Sequence, residues 1–108
     1  METCRLGKTG LVVSEIGFGA WQLGNDDDWE GMDERSALDL VAAACDRGVN
    51  LFDTAPNYAA TGSERLLGKA LVGRRHDVVL VSKFCHPPTG PKDFAVEGFV
   101  ESLEASLR

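Results

Sequence analysis

Val49-Asn50-Leu51-Phe52-Asp53-Thr54-Ala55-Pro56-Asn57-Tyr58 is a short apolar run that ends at an acid, followed by a turn that delivers a tyrosine. Such a run reads as a buried strand emptying into a loop, where binding and catalytic groups concentrate. Side chains alternate along a strand, so Val49, Leu51 and Asp53 share one face while Asn50 and Phe52 share the other. Pro56 stops the strand and biases Ala55 away from helix. Ala55 to Asn57 is then a turn able to fold Tyr58 back over the strand end.

A second strand carries the matching charge. In Val78-Val79-Leu80-Val81-Ser82-Lys83 the residues Val79, Val81 and Lys83 share a face, so acid and base sit at equivalent strand ends. If the two strands are parallel neighbours, about 4.8 Å apart, the Lys83 ammonium reaches the Asp53 carboxylate and approaches the Tyr58 phenol. A cation beside a phenol stabilises its phenolate and makes the phenol a usable general acid near neutral pH. Asp53 would hold the ammonium charged and in place. Spacing alone equally allows a buried ion pair with an incidental tyrosine nearby.

Working outward, Cys4 to Leu6 and Leu11 to Ser14 flank Gly7-Lys8-Thr9-Gly10, which predicts a β-hairpin over residues 1–14. Glu15 to Ala20 reads as a first core strand, with Gly17 and Gly19 near its exit, where a missing side chain admits a ligand or another backbone. Gln22 stands where a dinucleotide fingerprint needs its third glycine, so a Rossmann reading fails there. Asn25-Asp26-Asp27-Asp28 is a solvated acidic loop or, as the alternative, a divalent-metal loop, although it lacks the alternating ligands and glycine turn of such a site. Trp21 and Trp29 can wall a substrate pocket, with a loop anchor as the alternative for Trp29.

Asp33 can cap a helix to about Arg47, with Leu38, Val41, Ala42 and Cys45 on its apolar face and Gly48 as the stop. Ser63 caps a second helix through Leu71, burying Leu67, Ala70 and Leu71. Pro87-Pro88-Thr89-Gly90-Pro91 must be loop. A third helix begins near Asp93, with Val96, Phe99, Val100, Leu103 and Leu107 on one side.

The net charge of -6 disfavours a nucleic-acid or anionic-membrane partner. No apolar run reaches the roughly 18 residues needed to span a bilayer, and no signal-peptide pattern opens the chain. Cys4, Cys45 and Cys85 lack metal-ligand spacing and read as reduced thiols, so a cytoplasmic protein without a metal site is expected. Alternating strands and helices form parallel βαβ units. A TIM barrel repeats that unit eight times over about 250 residues, with catalytic groups at the strand ends. From pattern alone, an open three-stranded α/β layer is the alternative.

Five segments, taken in order and spacing, resemble the opening of an aldo-keto reductase. They are residues Arg5 to Ser14, Ile16 to Gly24, Phe52-Asp53-Thr54-Ala55-Pro56-Asn57-Tyr58, Gly62-Ser63-Glu64-Arg65-Leu66-Leu67-Gly68 and Val81-Ser82-Lys83-Phe84. The resemblance implies an α/β fold made of the N-terminal hairpin plus the first three βα units of a (β/α)8 TIM barrel, truncated, with residues 15–108 forming the units. It implies Tyr58 as general acid, Lys83 as the partner that eases its ionisation, and Asp53 as the residue that orients Lys83. It also places Gly19, Ala20, Trp21 and Asp53 beside the nicotinamide of NADPH. The implied activity is NADPH-dependent reduction of aldehyde or ketone substrates to alcohols. The family's fourth catalytic residue, a histidine at the end of the next strand, is not reached. His76 and His86 do not replace it, and most NADPH contacts come from later strands. Ala59 stands where the family often has glycine. The chain is therefore expected to be inactive alone; the alternative is a non-catalytic interaction or regulatory module, or an incomplete reading-frame product. Uncovered barrel edges invite association.

Overall fold

The computed structural model describes residues 1–24, 29–84 and 91–108. The metal alternative at Asp26, Asp27 and Asp28, and the readings placed on Cys85, His86 and the following prolines, fall outside the described residues.

Strands β1 (Thr3–Arg5) and β2 (Val12–Ser14) pair antiparallel, with Cys4 opposite Val13, as the glycine-flanked turn predicts. The hairpin is fastened by Asn50, whose side-chain Oδ1 accepts from the Ser14 N–H at 2.6 Å and whose Nδ2 donates to the Val12 carbonyl at 3.1 Å. In return, the Asn50 N–H donates to Ser14 Oγ at 3.1 Å. A side-chain amide offers both a donor and an acceptor, so one residue can complete the polar edge of the hairpin.

The main sheet has three parallel strands, β3 (Phe18–Gly19), β4 (Leu51–Asp53) and β5 (Val79–Val81), in the order β3-β4-β5. Each is shorter than its apolar run suggested, because the ladder ends where the loops diverge. Phe18 and Leu80 flank Phe52 in register, and Gly19 and Val81 flank Asp53. Residues paired in a ladder point the same way. The Phe18-Phe52-Leu80 row accordingly packs into the core with Val41 and Leu67, leaving the Gly19-Asp53-Val81 row on the opposite face.

Helix α1 (Glu34–Asp46) starts at Asp33, whose carboxylate accepts from the Ser36 N–H at 2.9 Å and the Ser36 hydroxyl at 2.7 Å. It ends at Gly48, which takes a positive φ of 86° that L-residues avoid. The face it buries keeps Val41 and Cys45 of the four residues read off the sequence and exchanges the other two. Ala37 and Val41 are buried, with Ala44 and Cys45 packed beside them, whereas Leu38 and Ala42 stay only half-buried outside the core. Both sets recur at helical spacing, and alanine carries too little hydropathy to reveal which one faces the sheet.

Helix α2 (Gly62–Ala70) buries Leu67, with Leu71 closing it. Ser63 does not cap it. The residue before the helix is Thr61, which makes no side-chain cap bond, while Ser63 lies one position inside and is fully buried. Helix α3 (Val96–Ser106) begins three residues later than expected, and Asp93 instead accepts from the Ala95 N–H at 2.9 Å. The apolar side of α3 (Val96, Phe99, Val100, Leu103, Leu107) is 43% to 77% exposed. Phe99 meets Phe84, just past β5, edge-to-face at 5.1 Å. Strand and helix alternate from β3 to α3, so the chain is α/β, with β3 and β5 as the outer strands of the sheet.

Candidate active site

The site forms at the carboxyl ends of the three parallel strands. Asp53 is the last residue of β4, and Lys83 lies two residues beyond the end of β5. The register sets Asp53 level with Val81, so acid and base are not at equivalent strand ends as the pattern suggested, and the lysine reaches back along the sheet. Its Nζ donates to Asp53 Oδ1 at 2.6 Å and to the Thr54 carbonyl at 2.9 Å, and stands 4.8 Å from the centroid of the Tyr58 ring. Asp53, Tyr58 and Lys83 are thereby brought together. The ion pair is open rather than buried, with the lysine side chain 40% and the aspartate side chain 47% exposed.

Burial is the largest single influence on Lys83 and pulls its pKa down. The hydrogen bond to Asp53, the contact with Tyr58 and the Asp53 charge together outweigh it, and the pKa lies above the ordinary 10.5. Lys83 is therefore a fixed cation near neutral pH and cannot itself serve there as a base. Because the folded value is raised, the stabilisation from this contact is complete below pH 10.5 and is lost only as the pH climbs through the folded value. Asp53→Asn is expected to lower the Lys83 pKa, read from the lysine ε-methylene resonance against pH. An unchanged titration would mean that Asp53 does not hold the ammonium.

Tyr58 is aimed by a strained turn. Its N–H donates to the Ala55 carbonyl at 3.1 Å, and the Thr61 N–H closes onto the Pro56 carbonyl at 2.9 Å. Between them the backbone is left-handed at Ala59 (φ 49°) and Ala60 (φ 48°), and Thr61 follows at φ 76°. A left-handed L-residue costs roughly 1–2 kcal/mol, which glycine avoids at some expense in unfolded-state entropy. Ala59→Gly is accordingly expected to raise stability by about 0.5–1 kcal/mol, measured by urea unfolding. A loss of stability would show that the turn does not hold Ala59 left-handed.

On the other side of the site, Ala20 is fully buried, and its N–H donates to the Asp53 carbonyl at 2.8 Å. A Cβ built on Gly19 would meet nothing within 4 Å, so this strand end is open. Trp21 packs against Tyr58 with ring centroids 6.3 Å apart and against Trp29, edge-to-face, at 5.4 Å. Both indoles keep about two-fifths of their surface exposed, 44% for Trp21 and 41% for Trp29. They form an aromatic wall running toward Tyr58. His76 sits exposed in the turn before β5, at the far end of that strand from Lys83.

Sequence reasoning missed two buried hydroxyls beneath this cluster, Thr54 and Ser63, which bond each other at 2.9 Å. Nothing in their spacing announced the contact. The structure also holds a groove of about 1300 Å³ between α2 and α3, lined in part by Arg65, Lys69, Glu101 and Arg108. Asp53, Tyr58 and Lys83 do not line it. Among the described residues no group of three or more His, Cys, Asp or Glu side chains could hold a metal, and no helix is long and apolar enough to cross a membrane.

The sequence profile of the aldo/keto reductase family matches residues 15–108. The chain belongs to that family. It is 40% identical over 85 residues to the aldo-keto reductase YhdN of Bacillus subtilis, covering 77% of this chain and 25% of that protein. Among solved structures, the holo form of aldo-keto reductase AKR11C1 from Bacillus halodurans superposes with a TM-score of 0.84 at 33% identity, covering 100% of this chain and 36% of that one. An aldo-keto reductase from Klebsiella pneumoniae in complex with NADPH gives a TM-score of 0.70 at 31% identity, covering 92% of this chain and 32% of that one. This aldo-keto reductase chain thus spans 25% to 36% of the length of these relatives.

Proposed function

We propose that this chain supplies the proton-donor side of an NADPH-dependent carbonyl reductase, as the N-terminal hairpin and first three βα units of a (β/α)8 barrel. The observation that carries the reading is a charged lysine held 2.6 Å from Asp53 Oδ1 and 4.8 Å from the centroid of the Tyr58 ring. In this reading Tyr58 Oη gives its proton to the carbonyl oxygen of an aldehyde or ketone. The adjacent Lys83 ammonium stabilises the phenolate left behind, and Asp53 keeps the ammonium in place. Tyr58 is the single tyrosine of the chain, so no second phenol competes for the role.

The residues present suit a nicotinamide. Gly19 leaves open space at the strand end, Trp21 offers an exposed flat ring, and the half-exposed Asp53 carboxylate can accept from a ribose hydroxyl. When bound, the cofactor supplies the hydride. The NADPH complex of the Klebsiella relative supports that choice of cofactor. A cytoplasmic setting belongs to the same proposal and accords with the free thiols of Cys4 and Cys45.

The test follows NADPH consumption across a panel of aldehydes and ketones by a complete barrel that carries these residues, with NADPH fluorescence titration and size-exclusion chromatography of the 108-residue chain beside it. Carbonyl-dependent consumption supports the reading. Saturable NADPH binding by that complete barrel with no turnover of any carbonyl would overturn the catalytic role. It would favour instead an interaction module, the second reading, which the exposed apolar side of α3 supports.

A further inference from the structure

Beneath the charged cluster, three chain segments far apart in sequence meet through two hydroxyl groups. Ser63 Oγ, on the first turn of α2, lies 2.7 Å from the carbonyl oxygen of Ala20, in the loop after β3. A carbonyl oxygen can only accept, so Ser63 spends its one proton there. The 2.9 Å contact between Ser63 Oγ and Thr54 Oγ1 must then run the other way, with Thr54 donating. The chain of donors is Thr54 to Ser63 to Ala20, and its direction is set throughout. Thr54 and Ala20 are each within about one per cent of full burial, at 1% and 0% exposed, and Ser63 is at 0%.

Both ends of this chain touch the site. The Thr54 backbone carbonyl accepts from Lys83 Nζ at 2.9 Å, so the residue that starts the relay is also one of the two protein groups that hold the ammonium. Ala20, where the relay ends, precedes Trp21, whose ring packs on Tyr58. The Ala20 N–H is bonded to the Asp53 carbonyl at 2.8 Å and its carbonyl to Ser63 at 2.7 Å, so the peptide groups leading into Trp21 are pinned on both sides. Neither hydroxyl is itself exposed to a substrate. We propose that Thr54 and Ser63 are positioning residues, whose buried hydroxyl relay sets the Trp21 wall against the Tyr58-Lys83-Asp53 cluster.

This rests on the proposed carbonyl-reductase reading only for its functional meaning; the spacing itself can be measured without turnover. Losing Ser63 leaves the buried Thr54 hydroxyl without its partner and the Ala20 carbonyl with only the Leu23 N–H at 3.1 Å, and losing Thr54 takes away the donor that orients Ser63; a buried donor without a partner is unfavourable, which favours a shift of the loop. Thr54→Val keeps the shape and removes the donor. Thr54→Ser keeps the donor and removes a methyl group. Ser63→Ala removes the centre of the relay, and Val41→Ala removes methyl groups from the core on α1 without touching a hydroxyl.

The experiment is proton NMR on the 108-residue chain, reading cross-relaxation between the Trp21 and Tyr58 rings together with the Lys83 titration. Ser63→Ala and Thr54→Val are expected to lose the ring-to-ring signal and shift the Lys83 titration, while Thr54→Ser and Val41→Ala retain both. Retention of the signal in a folded Ser63→Ala or Thr54→Val overturns the proposal, as does equal loss in Thr54→Ser. If both Ser63→Ala and Thr54→Val unfold the chain while Val41→Ala does not, the hydroxyls support the fold generally and the positioning role is likewise overturned. Absence of carbonyl reduction by the complete barrel would sink the catalytic reading without touching these spectra.

Discussion

Tyr58→Phe, in a complete barrel that carries these residues, is expected to lower carbonyl reduction by about 10²–10⁴-fold, the usual contribution of a positioned general acid, while leaving NADPH affinity intact. The substitution removes one hydroxyl and keeps the ring. The packing of that ring on Trp21 at 6.3 Å is a contact of the ring and is kept, whereas Lys83 loses only the phenol oxygen as a neighbour. Loss of activity would therefore report on the proton rather than on a collapsed wall. The check is steady-state NADPH consumption beside a cofactor titration on the same sample. Equal turnover by Tyr58→Phe would remove Tyr58 from the mechanism. A drop in NADPH affinity matching the drop in turnover would assign the residue to binding instead.

The same cluster shows what a linear reading can and cannot reach. Asp53, Lys83 and Tyr58 were legible because each ends an apolar run or follows a proline turn, and those signals are local. Their relative height was not. Parallel register is set by how the intervening helix packs, and here it aligns Asp53 with Val81, so that Lys83 has to reach back from two residues past the strand. Family resemblance, not spacing, is what favours a proton-donor reading over a plain ion pair.

Helix α1 was legible in extent, from its Asp33 cap to Gly48, and in Val41 and Cys45 on its buried side, yet Ala37 and Ala44 stand there in place of Leu38 and Ala42 because alanines say little in a hydropathy pattern. Ser63 looked like a cap because serine before an apolar helix usually is one. Its actual partner, the Ala20 carbonyl, lies 43 positions away in sequence, a separation across which no local pattern carries information. Ala59 shows the converse: its identity was noted, but only backbone angles reveal that an alanine occupies a left-handed position.

Phe52→Ala is expected to destabilise the chain by about 3–5 kcal/mol, the range for truncating a buried phenylalanine. Phe52 is 0% exposed, sits at the centre strand of the sheet, and meets Phe18 with ring centroids 5.4 Å apart. The Phe18-Phe52-Leu80 row is the surface onto which both α1 and α2 pack their buried residues, so the cavity left by alanine has helices on one side and backbone on the other. Domains of this size are held by roughly 5–15 kcal/mol in total, and α3 adds little while its apolar side stays exposed. A loss of that magnitude removes a large share of that stability. Val12→Ala is the matched control: its side chain is 51% exposed, and the change should stay within about 0.5 kcal/mol. Urea unfolding followed by circular dichroism separates the two, with the midpoint moving for Phe52→Ala at an unchanged slope. The consequence reaches the site, because Asp53 and Thr54 follow Phe52 directly and take their height from the strand it anchors. A midpoint equal to that of Val12→Ala would mean that the core is not built on Phe52, and the placement of Asp53 against Lys83 would lose its foundation.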